Sequence, residues 1–483
     1  MKADLDQVQA GNFVGSAPLT TENEASVPEG SPARKPSQGD LLRTLFTTLD
    51  DHGIRYCVLH SWEGLPERLR SDLDLAVHPA DMQRLPLVFR ALREKGYRLI
   101  QCFNYFVHAY YFVFVWFEGL VLKGAAVDII CEHRRGGLIA APGRTLVKGR
   151  QRNNIYWIPS PATEFAYLLA KRAWKGTASA DQAKRLRSLV SELGRPKATE
   201  IARSLFRQRW AERVVEACSS GSIGEVLGKL KSQLWRTSLF GRPAKLAAYL
   251  VTDGLRRARR WFQPTGVFLV LMGPDGAGKS ALGMQLAQNF DPTWRGCRVF
   301  HWRPEVVFRM RDEGRVTDPH RKPVHGTLPS AARLLAFVLD HWLGYIFVIR
   351  PLLARSTLVI FDRYFHDLLV DPQRYRYGGP LWLARILSHL VPSTERVFLV
   401  LDARDEVILS RKHEVTPEEL RRQRGSYQQL RNELACASLV RTDEGPEKAS
   451  AEALRALVDY MDQRFQRRHA RWLAGSTSES GTL

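Results

Sequence analysis

Residues 266–290, GVFLVLMGPDGAGKSALGMQLAQNF, constrain the fold of this chain more than any other stretch. A run of apolar residues leads into Gly273-Pro274-Asp275-Gly276-Ala277-Gly278-Lys279-Ser280, which satisfies the spacing G-x-x-x-x-G-K-[ST], and a helix-like segment follows. Strand, glycine-rich bend and helix in that order are the context the pattern requires. The glycines let the backbone curl so that successive N–H groups point at phosphate oxygens, and the helix N-terminus adds its positive end. Lys279 is then placed to reach the β- and γ-phosphates, and the Ser280 hydroxyl to ligate Mg²⁺. A nucleotide seat is therefore expected along Gly273, Pro274, Asp275, Gly276, Ala277, Gly278, Lys279, Ser280 and Ala281, with ATP and Mg²⁺ as the cofactors.

The surrounding text alternates strand and helix signals, which predicts an α/β unit with a parallel sheet and flanking helices. Its strand-like runs are 267–272, 298–301, 357–362 and 397–402. Two of them end in acids, Asp362 in VIFDRY and Asp402 in VFLVLD. Carboxyl ends of parallel strands gather at the ligand crevice, so Asp362 is expected to orient Mg²⁺. Asp402 reads equally as a second convergent acid or as a cap. Residues 411–431, RKHEVTPEELRRQRGSYQQLR, carry many cations on what reads as a mobile cover. Arginines closing over a transferring phosphoryl group would stabilise its charge and exclude water.

Residues 265 to about 465 resemble thymidylate kinases, the P-loop nucleoside-monophosphate kinases that make dTDP from dTMP and ATP. The matching pieces are the G-x-D-G-x-G-K-S loop with Asp275 third, the strand followed by Arg303-Pro304, the D-R-Y run Asp362-Arg363-Tyr364, and a late pattern ending in Arg424 and Tyr427. The resemblance implies that Asp275 contacts the acceptor's sugar hydroxyl and that Arg303 and Arg363 hold its phosphate, with Tyr364 beside them. It implies lid roles for Arg421, Arg422 or Arg424, and catalysis by Lys279, Asp275, Arg363, Arg421 and Arg424. Where the family has an Asp-Arg pair that reads thymine, this chain has Asp340-His341, and its Ser…Ala-Tyr-Gln segment is replaced by FHDLLVDPQRYRYGGP. The phosphate-handling parts survive while the base-reading parts do not, so the expected acceptor is a nucleoside monophosphate or another phosphorylated or sugar-like molecule.

An earlier unit, 39–160, mixes helix and strand: a helix at LLRTLFTTLDDHG, strands at 55–59, 72–77, 97–101, 109–117 and 126–131, and a helix over 79–95. SDLDLAV with a later VDII resembles the nucleotidyltransferase superfamily, whose strands hold an Asp-x-Asp pair and a third acid. Alternation puts Asp72 and Asp74 on one strand face. The resemblance implies that Asp128 completes a cage for two divalent metals. The family's Gly-Ser turn corresponds to His60-Ser61, and the unit is as readily a degenerate as an active one.

The chain has 483 residues, about three units at roughly 150 each. The expected division is a disordered tail over 1–38, the nucleotidyltransferase-like unit over 39–160, a helical segment with a basic linker over 161–261, the kinase-like unit over 262–470, and a second disordered tail over 471–483. Six scattered cysteines without a C-x-x-C pair argue against a disulfide scaffold and for a reducing, cytoplasmic setting. The N-terminus has no apolar h-region, and 334–353 carries Asp340 and His341 mid-span, so a buried helix rather than a transmembrane segment is expected. A net charge of +21 attracts polyanions, leaving nucleic-acid or acidic-membrane contact open, and a homodimer is a further expected assembly. Three functions stand side by side: an ATP-dependent phosphotransferase, a nucleotidyltransferase working through Asp72, Asp74 and Asp128, and an ATP-gated polyanion-binding protein.

Overall fold

Two five-stranded sheets carry the architecture. The first is mixed: Tyr56–Val58 (β1), Leu73–Val77 (β2), Arg98–Phe106 (β3), Ala109–Glu118 (β4) and Val121–Ile130 (β5) lie in the order β1-β2-β5-β4-β3. Only β2 and β5 pair in parallel. Helices Gln38–Asp51 (α1) and Leu85–Glu94 (α2) cover one face, burying Leu41, Leu45, Phe46, Val88 and Leu92 against it. Ser37 caps α1 by accepting the Asp40 N–H on its side chain. The structure, a computed structural model, describes residues 36–474 apart from 70, 136–137, 207, 242, 289–292, 305–322, 393–395 and 413–414.

Five helices follow, Pro161–Lys175 (α3), Ala180–Leu193 (α4), Arg195–Leu205 (α5), Gln208–Ser220 (α6) and Ile223–Arg236 (α7). Their apolar stripes close on a core of their own around Phe165, Leu169, Leu189, Val214 and Leu227. A long basic helix, Pro243–Phe262 (α8), leads to the second sheet.

That sheet is wholly parallel. Val267–Met272 (β6), Gly296–His301 (β7), Thr357–Asp362 (β8), Arg396–Asp402 (β9) and Ala437–Arg441 (β10) take the order β7-β8-β6-β9-β10. Its central strands are apolar on both faces because helices cover both. Val267, Leu269 and Leu271 belong to the core on one side, and Phe268, Val270 and Met272 to the core on the other, the period of two that a strand imposes. The covering helices are Lys279–Gln288 (α9), Thr327–Gly344 (α10), Leu381–Leu390 (α11), Asp405–Arg411 (α12), Pro417–Glu433 (α13) and Pro446–Arg468 (α14).

Helix α14 ties the two sheets together. Ile100, Val113 and Val115 of the first sheet share one core with Leu454, Leu457, Val458 and Met461 of α14 and with the second sheet. Phe465 and the following Trp472 pack into the first sheet's core, Trp472 edge-on to Phe89. Arg93 makes a two-pronged contact with Asp462 at 2.6 and 2.8 Å.

Several expectations shift. Strand 126–131 extends back to Val121, and 79–95 begins with a 3₁₀ turn, Pro79–Arg84, before α2. Strand β10 went unforeseen because it is a half-buried edge strand without an apolar run. The expected tails at 1–35 and 475–483 lie outside the described residues, whereas Gln38 begins α1 and Ala470–Leu473 is helical. The apolar stretch at 334–353 falls in a continuous helical span, Thr327–Ala354, long and apolar enough to cross a membrane by length and composition, and 39% of its apolar 18-residue window is buried. Asp340 and His341 are buried, while Leu335, Leu339, Trp342 and Phe347 are exposed. The helix is thus half-buried rather than enclosed.

Candidate active site

At the carboxyl end of β6 the chain turns at Gly273, with φ +142°, where a Cβ would stand 2.5 Å from the Leu401 carbonyl oxygen. At Gly276, φ +86°, a Cβ would meet the Ile408 carbonyl oxygen at 2.9 Å. Only glycine fits either position, and the bend they permit delivers Lys279 and Ser280 to the start of α9. The Lys279 ammonium donates to the Gly273 and Pro274 carbonyls at 2.8 Å each. Burial, with the Arg363 guanidinium nearby, pulls it down to about 8.

Ser280 Oγ donates to Asp362 Oδ2 at 2.7 Å. The two meet because β8 lies beside β6 in parallel register, Asp362 opposite Leu271. The other carboxylate oxygen, Oδ1, is buried with no hydrogen-bond partner among the described residues. Burial opposes the Asp362 charge, yet His301, Lys279 and Ser280 hold the carboxyl well below the usual range. A pre-ionised carboxylate with an unused oxygen beside a hydroxyl is the kind of oxygen-donor set a Mg²⁺ ion takes, and the glycine bend fits a phosphate chain.

The D-R-Y turn builds the next layer. Arg363 adopts φ +76°, rare for a side-chain-bearing residue, and its N–H donates to the Leu271 carbonyl at 3.0 Å. Its guanidinium pairs with Asp275 and, at 2.7 Å, with Asp367. Fully buried Asp367 also accepts from the Tyr375 hydroxyl at 2.7 Å and from the Tyr427 hydroxyl. Arg374 pairs with the other oxygen of Asp275, and Lys279 Nζ stands 3.7 Å from that carboxylate. Beyond β7, Trp302 (φ +64°) stacks on Tyr375 with ring centroids 4.5 Å apart. Arg303 lies 3.9 Å from Asp340, both buried.

Not every expected residue reaches this crevice. Tyr364 is 1% exposed and sits in the core, its hydroxyl on the Pro392 carbonyl at 3.3 Å and its ring against His341. Arg424 is committed to Asp402, at 2.7 and 3.0 Å, and to Asp405, so Asp402 is a structural partner and does not turn to the loop. Arg421 pairs with Asp405 at 3.1 Å, and Arg422 with Glu419. Rather than a loose cover, 417–433 is a packed helix with Leu420, Gln423, Tyr427 and Leu430 inside. The cation that does lean on the bend is Arg411, donating to the Gly276 carbonyl at 3.4 Å and to the Thr442 carbonyl at 3.0 Å.

Two of the solved structures this chain is similar to are thymidylate kinases. The enzyme from Ehrlichia chaffeensis matches with 17% identity and a TM-score of 0.30, over 40% of this chain and 98% of that one. The enzyme from Candida albicans matches with 15% identity and a TM-score of 0.31, over 41% of this chain and 93% of that one. No family model and no curated protein matches the sequence.

In the first sheet, Asp74 and Asp128 face each other across the parallel pair β2 and β5. They do not form the expected cage with Asp72. Asp74 is held by Lys171 Nζ at 3.2 Å and His60 Nε2 at 3.0 Å, and Asp128 accepts the Tyr105 hydroxyl. Asp72 precedes the first residue of β2, and no group of three His, Cys, Asp or Glu among the described residues is arranged to hold a metal ion. The physical reason is Lys171, reaching in from α3, whose single ammonium already neutralises Asp74.

Sequence reasoning missed Lys171, Arg374, Asp367 and Tyr375. Arg374 and Tyr375 lie in the segment 365–380 that departs from the family pattern, and nothing in their spacing marks them. Asp367, five residues after Asp362, was the one with a signal: an acid so soon after a D-R-Y turn can return to its arginine.

Proposed function

We propose that the second sheet and its helices form an ATP-dependent phosphotransferase of the nucleoside-monophosphate kinase kind, acting on a phosphorylated or sugar-like acceptor. The observation that carries the reading is the 2.7 Å bond between Ser280 Oγ and Asp362 Oδ2 beneath the glycine bend, with Asp275, Arg363 and Arg374 meeting beside it. Ser280 and Asp362 would hold Mg²⁺, which supplies charge neutralisation on the ATP phosphates.

The chain's own residues do the rest. Lys279 exchanges its two carbonyl partners for phosphate oxygens. Arg363, Arg374 and Arg303 hold the acceptor's phosphate, and Asp275 orients the acceptor from the loop side. Transfer makes a bond from the acceptor oxygen to the γ-phosphorus and breaks that atom's bond to the β–γ bridging oxygen, so ADP leaves with the electron pair. Positioning and charge neutralisation are the whole task. Arg411 is the cation best placed to follow the charge on the nucleotide side, with Arg421 less committed than Arg424.

The acceptor reading rests on His341. It is 1% exposed, with its Nδ1 2.8 Å from the Phe337 carbonyl and its ring against Tyr364 and Phe365, so it is packed into the core where the family's arginine would read a base; burial also pulls its imidazole down to about 4. This favours acceptors other than thymidylate. ADP formation measured across nucleoside monophosphates, sugars and sugar phosphates tests the reading. Lys279→Ala is expected to abolish turnover with whichever acceptor responds; turnover at the wild-type rate would overturn it.

A further inference from the structure

A cavity of about 450 Å³ opens at the amino-terminal edge of the second sheet, away from the glycine bend. Four of the residues lining it are arginines, Arg396, Arg464, Arg467 and Arg468, and among the described residues of the lining none is an acid. Arg464 and Arg468 are fixed by the carbonyls of Gly266, Thr265 and Pro264 at 2.8, 2.9 and 2.7 Å. Those carbonyls precede β6, whereas Gly273 follows its end, so the strand's length, roughly 20 Å, separates the cavity from the nucleotide seat.

Arg396 makes the cavity unusual. It opens β9, is only 6% exposed, and keeps Nε and Nη1 buried with no hydrogen-bond partner among the described residues. Its guanidinium lies over the rings of Tyr364 and Phe398, at 4.9 and 5.2 Å to the centroids, and burial lowers its pKa. Buried charges are ordinarily paired with an opposite charge, and unmade hydrogen bonds to a charged group are costly. Ring faces offset part of this; they do not replace an anion. Arg467, one turn along from Arg464 on α14, is exposed.

We propose that this cavity binds a phosphate monoester, with Arg396 and Arg467 as its anchors. Several guanidiniums with no acid among the described lining residues call for more than the single charge of a carboxylate, and the planar fork of arginine matches phosphate oxygens two at a time. The volume lies within the range of small-molecule sites and exceeds what the phosphate group fills, so the ligand brings an organic body to the wall of Phe398, Leu434 and Tyr460.

The test is calorimetric titration of ribose 5-phosphate into the full chain carrying Lys279→Ala, at constant ionic strength set with chloride. A site is expected whose affinity falls about tenfold or more with Arg467→Glu and is lost with Arg396→Gln. Arg467→Glu is exposed and outside the phosphotransfer site, so it should leave ADP formation by the otherwise wild-type chain unchanged. If Arg396→Gln fails to fold, Arg467→Glu decides alone. Binding that is unaltered by Arg467→Glu, or no binding beyond a chloride-matched control, overturns the assignment.

Discussion

Lys171 Nζ stands 3.2 Å from Asp74 Oδ1 and 2.9 Å from His60 Nε2, so the chain itself supplies the counter-charge for the acid of the first sheet. Burial opposes the Lys171 charge, yet the Asp74 carboxylate and the hydrogen bonds to Tyr167 and Asp74 outweigh it and push its pKa up from the usual lysine range. Removing one partner of such a buried pair leaves an uncompensated charge and costs about 3–5 kcal/mol. Lys171→Met is expected to lower stability by that order in urea unfolding, and Asp74→Asn in the same chain to recover more than half of it. Equal stability of Lys171→Met and wild type would show the pair to be idle. The same occupancy predicts no pyrophosphate release from ATP, GTP, CTP or UTP by this unit.

Asp128 carries a pH signature. Burial, reinforced by the neighbouring Asp74 charge, pushes its carboxyl up to about 7 from a usual value of 3.8. Between those values the folded chain binds the extra proton, so this group's contribution is fully present below about 4 and is lost as pH rises through about 7. Asp128→Asn removes the charge and keeps an acceptor for the Tyr105 hydroxyl. It should stabilise the protein by about 1–3 kcal/mol at pH 8 and by nothing measurable at pH 4, read as the difference in thermal unfolding at the two pH values. A gain of equal size at both would mean that the carboxyl does not titrate in this range.

Much of the second sheet was legible in the sequence, and the reason is local. Strands 267–272 and 357–362 were expected at their observed bounds because a doubly covered strand is apolar at every position. The bend was legible because Gly273 and Gly276 answer to backbone geometry that no other residue meets. What stayed hidden is long-range. Arg374 reaches Asp275 across 99 residues and Lys171 reaches Asp74 across 97, and no spacing rule spans such distances. The partners of the expected lid arginines stayed hidden for a different reason: charge runs do not reveal that Asp402, Asp405 and Glu419 engage Arg424, Arg421 and Arg422 of α13.

On the proposed function, Arg374 should separate acceptor binding from nucleotide binding. It meets Asp275 through Oδ2, the oxygen that Arg363 does not take. Arg374→Ala is expected to raise the acceptor KM by about tenfold to a hundredfold, the loss of a charge-assisted contact, with the ATP KM within about twofold of wild type. Arg374→Lys should recover part of it. Equal changes in both KM values would place Arg374 in the general architecture of the site instead.

Helix α14 makes a prediction about cooperativity. Leu457 is fully buried in the core that also holds Val113 and Val115 of the first sheet and Leu269 and Leu271 of the second. Leu457→Ala removes packing from both sides at once and should cost about 2–5 kcal/mol. Because one helix serves both sheets, the loss should appear equally in a probe of each. Hydrogen–deuterium exchange of the strand amides across the unfolding transition reads the sheets separately, β4 for the first and β6 for the second. Coincident transitions that shift together on Leu457→Ala are expected. Two separated transitions, only one of which moves, would mean that the sheets unfold independently despite their common helix.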